Sequence, residues 1–120
     1  MELTKCEMEI MDVLWGTDQP LSRSDILRLS TVKSWKDSSI HIMLNGLLAK
    51  KAIYEAGVVK CKKTIGRTFR PTLTREQYFA TNVFSYNHKP DMVKLIAALR
   101  DRPEMTPDVL AQVRQLLGNE

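Results

Sequence analysis

The stretch SWKDSSIHIMLNGLLAKKAI, which runs from Ser34 to Ile53, decides the fold of this chain. Its apolar residues recur at helical spacing, which predicts a helix with one face turned toward a core. The residues of this inward face are Ile40, Met43 or Leu44, Leu47 and Leu48. The same spacing turns four other side chains outward, namely Ser38, His41, Ile42 and Asn45. We expect the helix to open at Asp37 or Ser38 and to close at Lys50 and Lys51.

Two shorter helices are expected before this one. TKCE (Thr4 to Glu7) has the spacing of a capping box, in which side chains satisfy free N–H groups at a helix start. Gly16 would end that helix, and Pro20–Leu21 would form a short link. SRSD (Ser22 to Asp25) then supplies a second N-cap with an acidic residue in the first turn.

After Lys51 the pattern changes to that of a β-hairpin. AIYEAGVVK has a strand-like composition broken by Gly57, and RTFRPTL alternates like a strand until Pro71. The basic segment KCKKTIG between them is expected to form the tip. Three helices followed by a basic hairpin predict a winged helix-turn-helix, with residues 37–51 as recognition helix and residues 52–72 as wing.

Residues 73–120 are expected to form three helices, capped by Thr74, Asp91 and Thr106. About fifty residues cannot enclose much core alone, so we expect these helices to pack against a second copy in a homodimer. The alternative is a monomer in which they fold back on the N-terminal domain. The residues assigned to dimerisation are Phe79, Val83, Phe84, Met92, Leu95, Ile96, Leu99, Val113, Leu116 and Leu117. The predicted fold is therefore mainly α with a small β wing, a winged-helix domain (1–72) followed by a three-helix dimerisation domain (73–120).

The positive charge is concentrated in the middle of the chain. The net charge is +4 over 120 residues. Residues 33–70 carry nine lysines and arginines against two carboxylates, a net charge of +7. Residues 1–32 are acidic, and residues 71–120 carry equal numbers of both signs. A focused basic block suits a polyanion, because neutralised phosphates release counterions, although a solvated basic surface would have the same composition.

Several classes of protein and site do not fit the sequence. No apolar run approaches a membrane span, and no signal peptide is recognised, so we expect a cytoplasmic protein with no membrane partner. There is no phosphate loop, nucleophile elbow or local acid–base constellation, so we expect no catalytic residues and no enzyme. Cys6, His41, Cys61 and His88 have no close ligand spacing, so we expect neither a metal site nor a cofactor. The cysteines are expected to be free thiols, with Cys61 activated by neighbouring lysines as the alternative.

The outward residues of the predicted recognition helix can contact DNA. An amide such as that of Asn45 can pair with adenine, and Ile42 can touch a thymine methyl. Lysines and arginines on the wing would contact phosphates with little choice of sequence. Trp35 either packs under the start of the helix or reaches the DNA with its indole N–H. The predicted DNA-binding residues are Trp35, Ser38, Ser39, His41, Ile42, Asn45, Lys60, Lys62, Lys63 and Arg67.

The segments LTKCEMEIMDVLW, SRSDILRLS, SSIHIMLNGLLAKKAI and GRTFRPTLTREQY, taken in order, resemble the family of penicillinase repressors, methicillin-resistance regulators and copper-transport repressors. The resemblance covers nearly the whole chain. It implies a dimeric winged-helix repressor that occupies a palindromic operator on double-stranded DNA. It also makes a sensor protease a candidate partner.

The chain departs from the family pattern at several positions. Ser39 and Ile42 stand where the family usually has threonine, and Gly46 stands where it usually has arginine. Ala97-Ala98 replaces the Asn-Phe bond at which penicillinase repressors are cut, so induction by that cleavage is not expected. The copper repressors' cysteine-rich ending is absent, so copper sensing through it is not expected. VVKCKKTIG lengthens the predicted wing. The alternative function is a winged-helix protein-interaction module whose basic face binds an acidic partner.

Overall fold

Helices α1 (Lys5–Trp15) and α2 (Arg23–Leu29) both begin at capping boxes in the computed structural model, which describes residues 2–61, 64–84 and 88–118. The Thr4 hydroxyl accepts from the Glu7 N–H, and the Glu7 carboxylate accepts from the Thr4 N–H. Ser22 and Asp25 repeat this exchange at α2. Gly16 caps the end of α1, as predicted.

A short 3-10 helix (Asp37–Ser39) leads into α3 (Ile40–Ala49), the predicted recognition helix. Lys51 ends it with a φ of 62°, in the left-handed region that usually selects glycine. The Lys51 N–H donates to the Leu48 carbonyl, and the Ala52 N–H donates to the Leu47 carbonyl. These two hydrogen bonds satisfy carbonyls at the helix end and turn the chain into the wing.

Strands β1 (Leu21–Ser22), β2 (Ile53–Cys61) and β3 (Thr64–Pro71) form an antiparallel sheet in the order β1-β3-β2. Leu21 pairs with Phe69, so the residues predicted as part of a link include a strand residue. Gly57 lies at a β-bulge, where Glu55 faces Phe69 and Gly57 already faces Thr68.

The wing differs from the prediction at its tip. All of KCKKTIG was expected to form the charged tip, but Lys60 pairs with Ile65, and Cys61 with Thr64, in the β2–β3 ladder. The extra residues of VVKCKKTIG therefore lengthen the two strands. Valine and isoleucine favour strands, and cross-strand pairing overrides the loop-like charge of the segment. Lys62 and Lys63 lie outside the described residues.

The chain divides into two compact units, residues 1–82 and 83–120. The first unit contains the apolar core, in which α1, α2 and α3 pack with the sheet. Its buried apolar residues include Ile10, Met11, Leu14, Leu21, Ile26, Trp35, Ile40, Leu44, Leu47, Ala52, Ile53 and Phe69.

Helix α4 (Arg75–Val83) begins within the first unit. The Trp15 indole N–H donates to the Leu73 carbonyl at 2.8 Å, and the Trp15 and Tyr78 ring centroids are 5.6 Å apart. Tyr78 is buried. The first turns of α4 are thus anchored to α1, although residues 73–120 were all predicted to belong to the second domain. The assignment of 73–120 to dimerisation stays a prediction.

The second unit contains α5 (Met92–Arg100) and α6 (Pro107–Gly118). The Asp91 carboxylate accepts from the Val93 and Lys94 N–H groups, and the Thr106 hydroxyl accepts from the Val109 N–H, so both predicted caps are confirmed. Neither helix buries a residue. Among the described residues, no helix is long and apolar enough to cross a membrane.

Candidate nucleic-acid interface

Helix α3 has two faces, as its sequence predicts. Ile40, Leu44 and Leu47 are buried and fix the helix to α1, β2 and the rest of the core. The residues on the outer side are exposed, and they are Ser38, His41, Ile42 and Asn45. Ile42 has 76% of its surface exposed, which is unusual for an isoleucine and leaves its side chain free for an apolar contact.

Trp35 is only 8% exposed and belongs to the buried core cluster that includes Ile40 and Leu44 of α3, so the packing alternative describes its position. The Lys33 ammonium lies 4.8 Å from the centroid of its ring, within range of a cation–π interaction. The indole N–H has no hydrogen-bond partner among the described residues. Ser39 is half-buried as the residue before α3. DNA contacts by Trp35 and Ser39 stay predictions.

The wing presents Lys60 on β2 and Arg67 on β3, both exposed. Arg67 Nη1 lies 2.7 Å from Glu55 Oε1, and its guanidinium carbon lies 5.3 Å from the Phe69 ring centroid. These two contacts fix the orientation of the Arg67 side chain, and the Glu55 carboxylate balances part of its positive charge.

A residue that the sequence did not single out lies beside the recognition helix. The guanidinium of Arg23, at the start of α2, forms a hydrogen bond with Nε2 of His41. Because arginine has only donors, the imidazole nitrogen accepts this bond. Eighteen residues separate the pair, and periodicity along one helix gives no information on such a contact. The available signal was the strong N-cap at Ser22, which places the next residue at the start of a helix.

Gly46 faces α1 and not open solvent. A Cβ at this position would lie 3.3 Å from Glu7 Oε2. The Lys50 ammonium lies 2.5 Å from Glu7 Oε1 and also donates to the Glu2 carbonyl at 3.1 Å. A side chain at position 46 would therefore contact the Glu7 carboxylate before it could reach a ligand on the outer side of α3.

The Glu7 carboxylate stays ionised in this setting. Burial raises the pKa of the Glu7 carboxyl, but hydrogen bonds from Lys50 and from Thr4 outweigh burial and leave the pKa below its ordinary value. The pKa of Asp25 is also lowered, chiefly by the hydrogen bond from the Ser22 N–H, against a smaller opposing effect of burial. Both carboxylates complete capping boxes, Glu7 at the start of α1 and Asp25 at the start of α2.

The predicted dimerisation residues remain largely uncovered in the monomer. Ile96 and Leu99 on α5 are 47% and 49% exposed, and Leu116 on α6 is 75% exposed. Phe79, Phe84, Met92 and Leu117 are also exposed, whereas Val83, Leu95 and Val113 are half-buried.

No three His, Cys, Asp or Glu side chains lie close enough to hold a metal ion in the part of the chain that the structure describes. The side chain of Cys61 lies outside that part, and Cys6 is a half-buried free thiol.

Comparison with known families decides the relationship. The penicillinase repressor family model matches residues 3–119. This chain belongs to the penicillinase repressor family. The family consists of winged-helix transcriptional repressors, a non-enzymatic kind of protein, so the winged-helix and DNA-binding predictions agree with the family assignment.

Two individual proteins are also similar to this chain. An uncharacterized 16.5 kDa protein in the ptsI 3' region of Latilactobacillus sakei is 32% identical over 121 residues, covering 97% of this chain and 78% of that protein. The crystal structure of Bacillus subtilis PadR in complex with operator DNA is 20% identical, with a TM-score of 0.49, over 92% of this chain and 67% of that one.

Proposed function

We propose that this penicillinase repressor family member is a homodimeric repressor that occupies a palindromic operator. Residues 37–51 would enter the major groove of each half-site, and the wing of residues 52–72 would contact the flanking backbone. The observation that carries the proposal is the two-faced helix α3, whose buried side fixes it to the core while Ser38, His41, Ile42 and Asn45 stay exposed. A repressor of this kind acts by blocking access to a promoter.

The charge distribution supports this use of the exposed face. The recognition helix and wing lie in the section with a net charge of +7. Lys50, however, is engaged by Glu7, and Arg67 is paired with Glu55. We therefore expect Lys60, together with Lys62 and Lys63, to supply most of the wing's phosphate contacts.

The homodimer is supported by the apolar surface of the second unit. Helices α5 and α6 bury no residue in the monomer, yet both have regular apolar positions and well-formed N-caps. Pairing with a second copy would remove this surface from water and place two recognition helices for two half-sites.

Gel shifts on genomic fragments across a salt series, followed by footprinting, test the proposal. We expect a two-fold symmetric footprint and an affinity that falls steeply with salt. Binding to acidic proteins with no sequence-specific DNA footprint on any fragment would instead favour the protein-interaction alternative.

Two substitutions test whether α3 reads the base sequence while the wing contacts phosphates without regard to sequence. Asn45→Ala should change base preference at one position of each half-site, with a discrimination of roughly 1–3 kcal/mol lost there. Lys60→Ala should weaken binding to all sequences alike. Equal, sequence-blind losses from both variants would contradict the placement of α3 in the groove.

A sensor protease stays a prediction from the family resemblance. The Ala97-Ala98 bond lies within α5, so cleavage there would require that helix to open locally. Incubating the purified chain with a candidate protease and mapping the products by mass spectrometry tests this point.

A further inference from the structure

A groove of about 230 Å³ separates the recognition helix from the wing. Leu44 and Phe69 contribute apolar lining, while Arg23, His41 and Arg67 contribute nitrogen-bearing side chains. These five residues come from α2, α3 and β3, so the fold brings together groups that are far apart in sequence.

Arg23 is placed in this groove by a specific contact. His41 Nε2 accepts a hydrogen bond from the Arg23 guanidinium, and within the described residues the other guanidinium N–H groups have no acceptor. None of the ion pairs formed among the described residues includes Arg23. Its neighbour Asp25 is occupied by Arg28 and by the Ser22 N–H. Among the described residues, no carboxylate therefore pairs with Arg23, which is exposed beside α3.

Arg67 contributes from the wing strand. It lies over the Phe69 ring, and Glu55 binds it through one nitrogen, Nη1. The remaining guanidinium N–H groups can still donate, because a guanidinium has five donors in a rigid fork. Arginine is well suited to phosphate because two parallel N–H groups can bind two of its oxygens.

We infer that Arg23 and Arg67 bind one backbone phosphate of the operator in this groove, and that His41 is a positioning residue that holds Arg23 in place. This inference rests on the proposed function. A duplex read by the outer face of α3 and touched by the wing must pass its backbone between them, where the groove lies. His41 then acts through Arg23, since its Nε2 is already used.

The first test compares Arg23→Ala with Arg28→Ala, a matched control on the same helix whose arginine does not line the groove. The probe is an operator fragment found by footprinting. Arg23→Ala should bind about tenfold more weakly, consistent with losing a charge-assisted hydrogen bond. The slope of log affinity against log salt should also fall by about 0.9 for each Arg23 that contacts DNA. Arg28→Ala should leave both values unchanged.

The second test replaces single operator phosphates by neutral methylphosphonates. One position in each half-site should weaken the wild type more than it weakens Arg23→Ala, because Arg67 still contacts that phosphate in the single variant. The same position should have no further effect on the double variant Arg23→Ala, Arg67→Ala, which lacks both contacts. Additive losses at every position would overturn the inference.

The positioning role of His41 has its own readout. His41→Phe should weaken binding in the wild type but not in the Arg23→Ala background. His41→Gln, whose amide oxygen can accept the same bond, should restore much of the affinity. Losses from His41→Phe that are equal in both backgrounds would show that His41 contacts DNA independently.

The outcomes separate the inference from the function on which it rests. If the wild type binds no DNA fragment, the proposed function fails. If the wild type gives a footprint but Arg23→Ala matches it in affinity and salt slope, only the phosphate site fails. Coincident thermal unfolding of the variants and the wild type establishes that each variant is folded.

Discussion

Lys50 at the end of α3 donates to the Glu7 carboxylate in the first turn of α1, with 2.5 Å between Nζ and Oε1. Glu7 is only 7% exposed and also completes the capping box with Thr4. One carboxylate therefore stabilises the start of α1 and holds the end of the recognition helix.

Removing either partner of this pair should destabilise the first unit. We expect Glu7→Gln and Lys50→Met each to lower the free energy of unfolding by about 1 kcal/mol, a modest value because the lysine is partly exposed and screened by water. Urea unfolding of both single variants and the double variant measures their coupling. Strictly additive losses would mean that the two groups do not interact in solution.

The same carboxylate predicts how stability depends on pH. The pKa of Glu7 is lowered in the folded chain, so the unfolded chain binds more protons in acid. The contribution is fully present above the ordinary glutamate pKa of about 4.3 and is lost as pH falls through the folded value. Unfolding free energies measured between about pH 6 and pH 3 should fall less steeply for Glu7→Gln than for the wild type. The exposed Glu104→Gln is the control, and an unchanged slope in Glu7→Gln would contradict the prediction.

Gly46 is a site where alanine should be tolerated. Glycine inside a helix costs roughly 0.5–1 kcal/mol relative to alanine. The added methyl would approach Glu7 Oε2, whereas the hydrogen bonds from Thr4 and Lys50 use Oε1. We expect Gly46→Ala to raise the unfolding free energy by about 0.5 kcal/mol and to leave operator affinity unchanged. Destabilisation in urea unfolding would show that Glu7 cannot move aside.

At Lys51, in contrast to Gly46, replacement by glycine should be favourable. Its left-handed backbone strains a residue that has a Cβ, and glycine removes that strain. We expect Lys51→Gly to raise the unfolding free energy by about 0.5 kcal/mol, after allowance for the greater freedom of glycine in the unfolded chain. Lys36→Gly, at an exposed position with negative φ, is the comparison and should not stabilise.

Dimerisation can be tested on one face of α5. Ile96→Glu would place a charge in the proposed apolar contact, which is costly to bury without a partner. Sedimentation should show a shift toward monomer, with weaker operator binding because the two half-sites are no longer linked. The exposed Lys94→Glu makes a larger charge change on the same helix and should not produce this shift if the apolar face is the contact. A wild-type monomer that binds the operator at full affinity would remove the dimer proposal.

Sequence reasoning succeeded where the signal is local. Capping at Thr4, Ser22 and Asp91 depends on residues within one helical turn, and the inward stripe of α3 repeats at a fixed period. It could not show that Leu21 pairs with Phe69, because a two-residue strand exists only through a partner distant in the chain. The longer wing was predicted, but the pairing of Lys60 with Ile65 was not, because the lysines of this segment gave it the composition of a turn.

The candidate site could likewise be predicted from the sequence only where the spacing within one helix determines it. The exposure of Ile42 and Asn45 follows from helical spacing alone. The contact between Arg23 and His41 does not, because it depends on how α2 and α3 cross. Position 46, where the family usually has arginine, faces a carboxylate of α1, and no pattern in the sequence indicated that neighbour.

The placement of Trp15 and Trp35 also has a practical consequence. They are the chain's two tryptophans, and both belong to the unit of residues 1–82. Selectively excited indole fluorescence therefore reports on that unit alone, whereas far-ultraviolet circular dichroism sums the helices of both. A difference between the two melting curves would measure how independently the DNA-reading and helical portions unfold, with no attached dye.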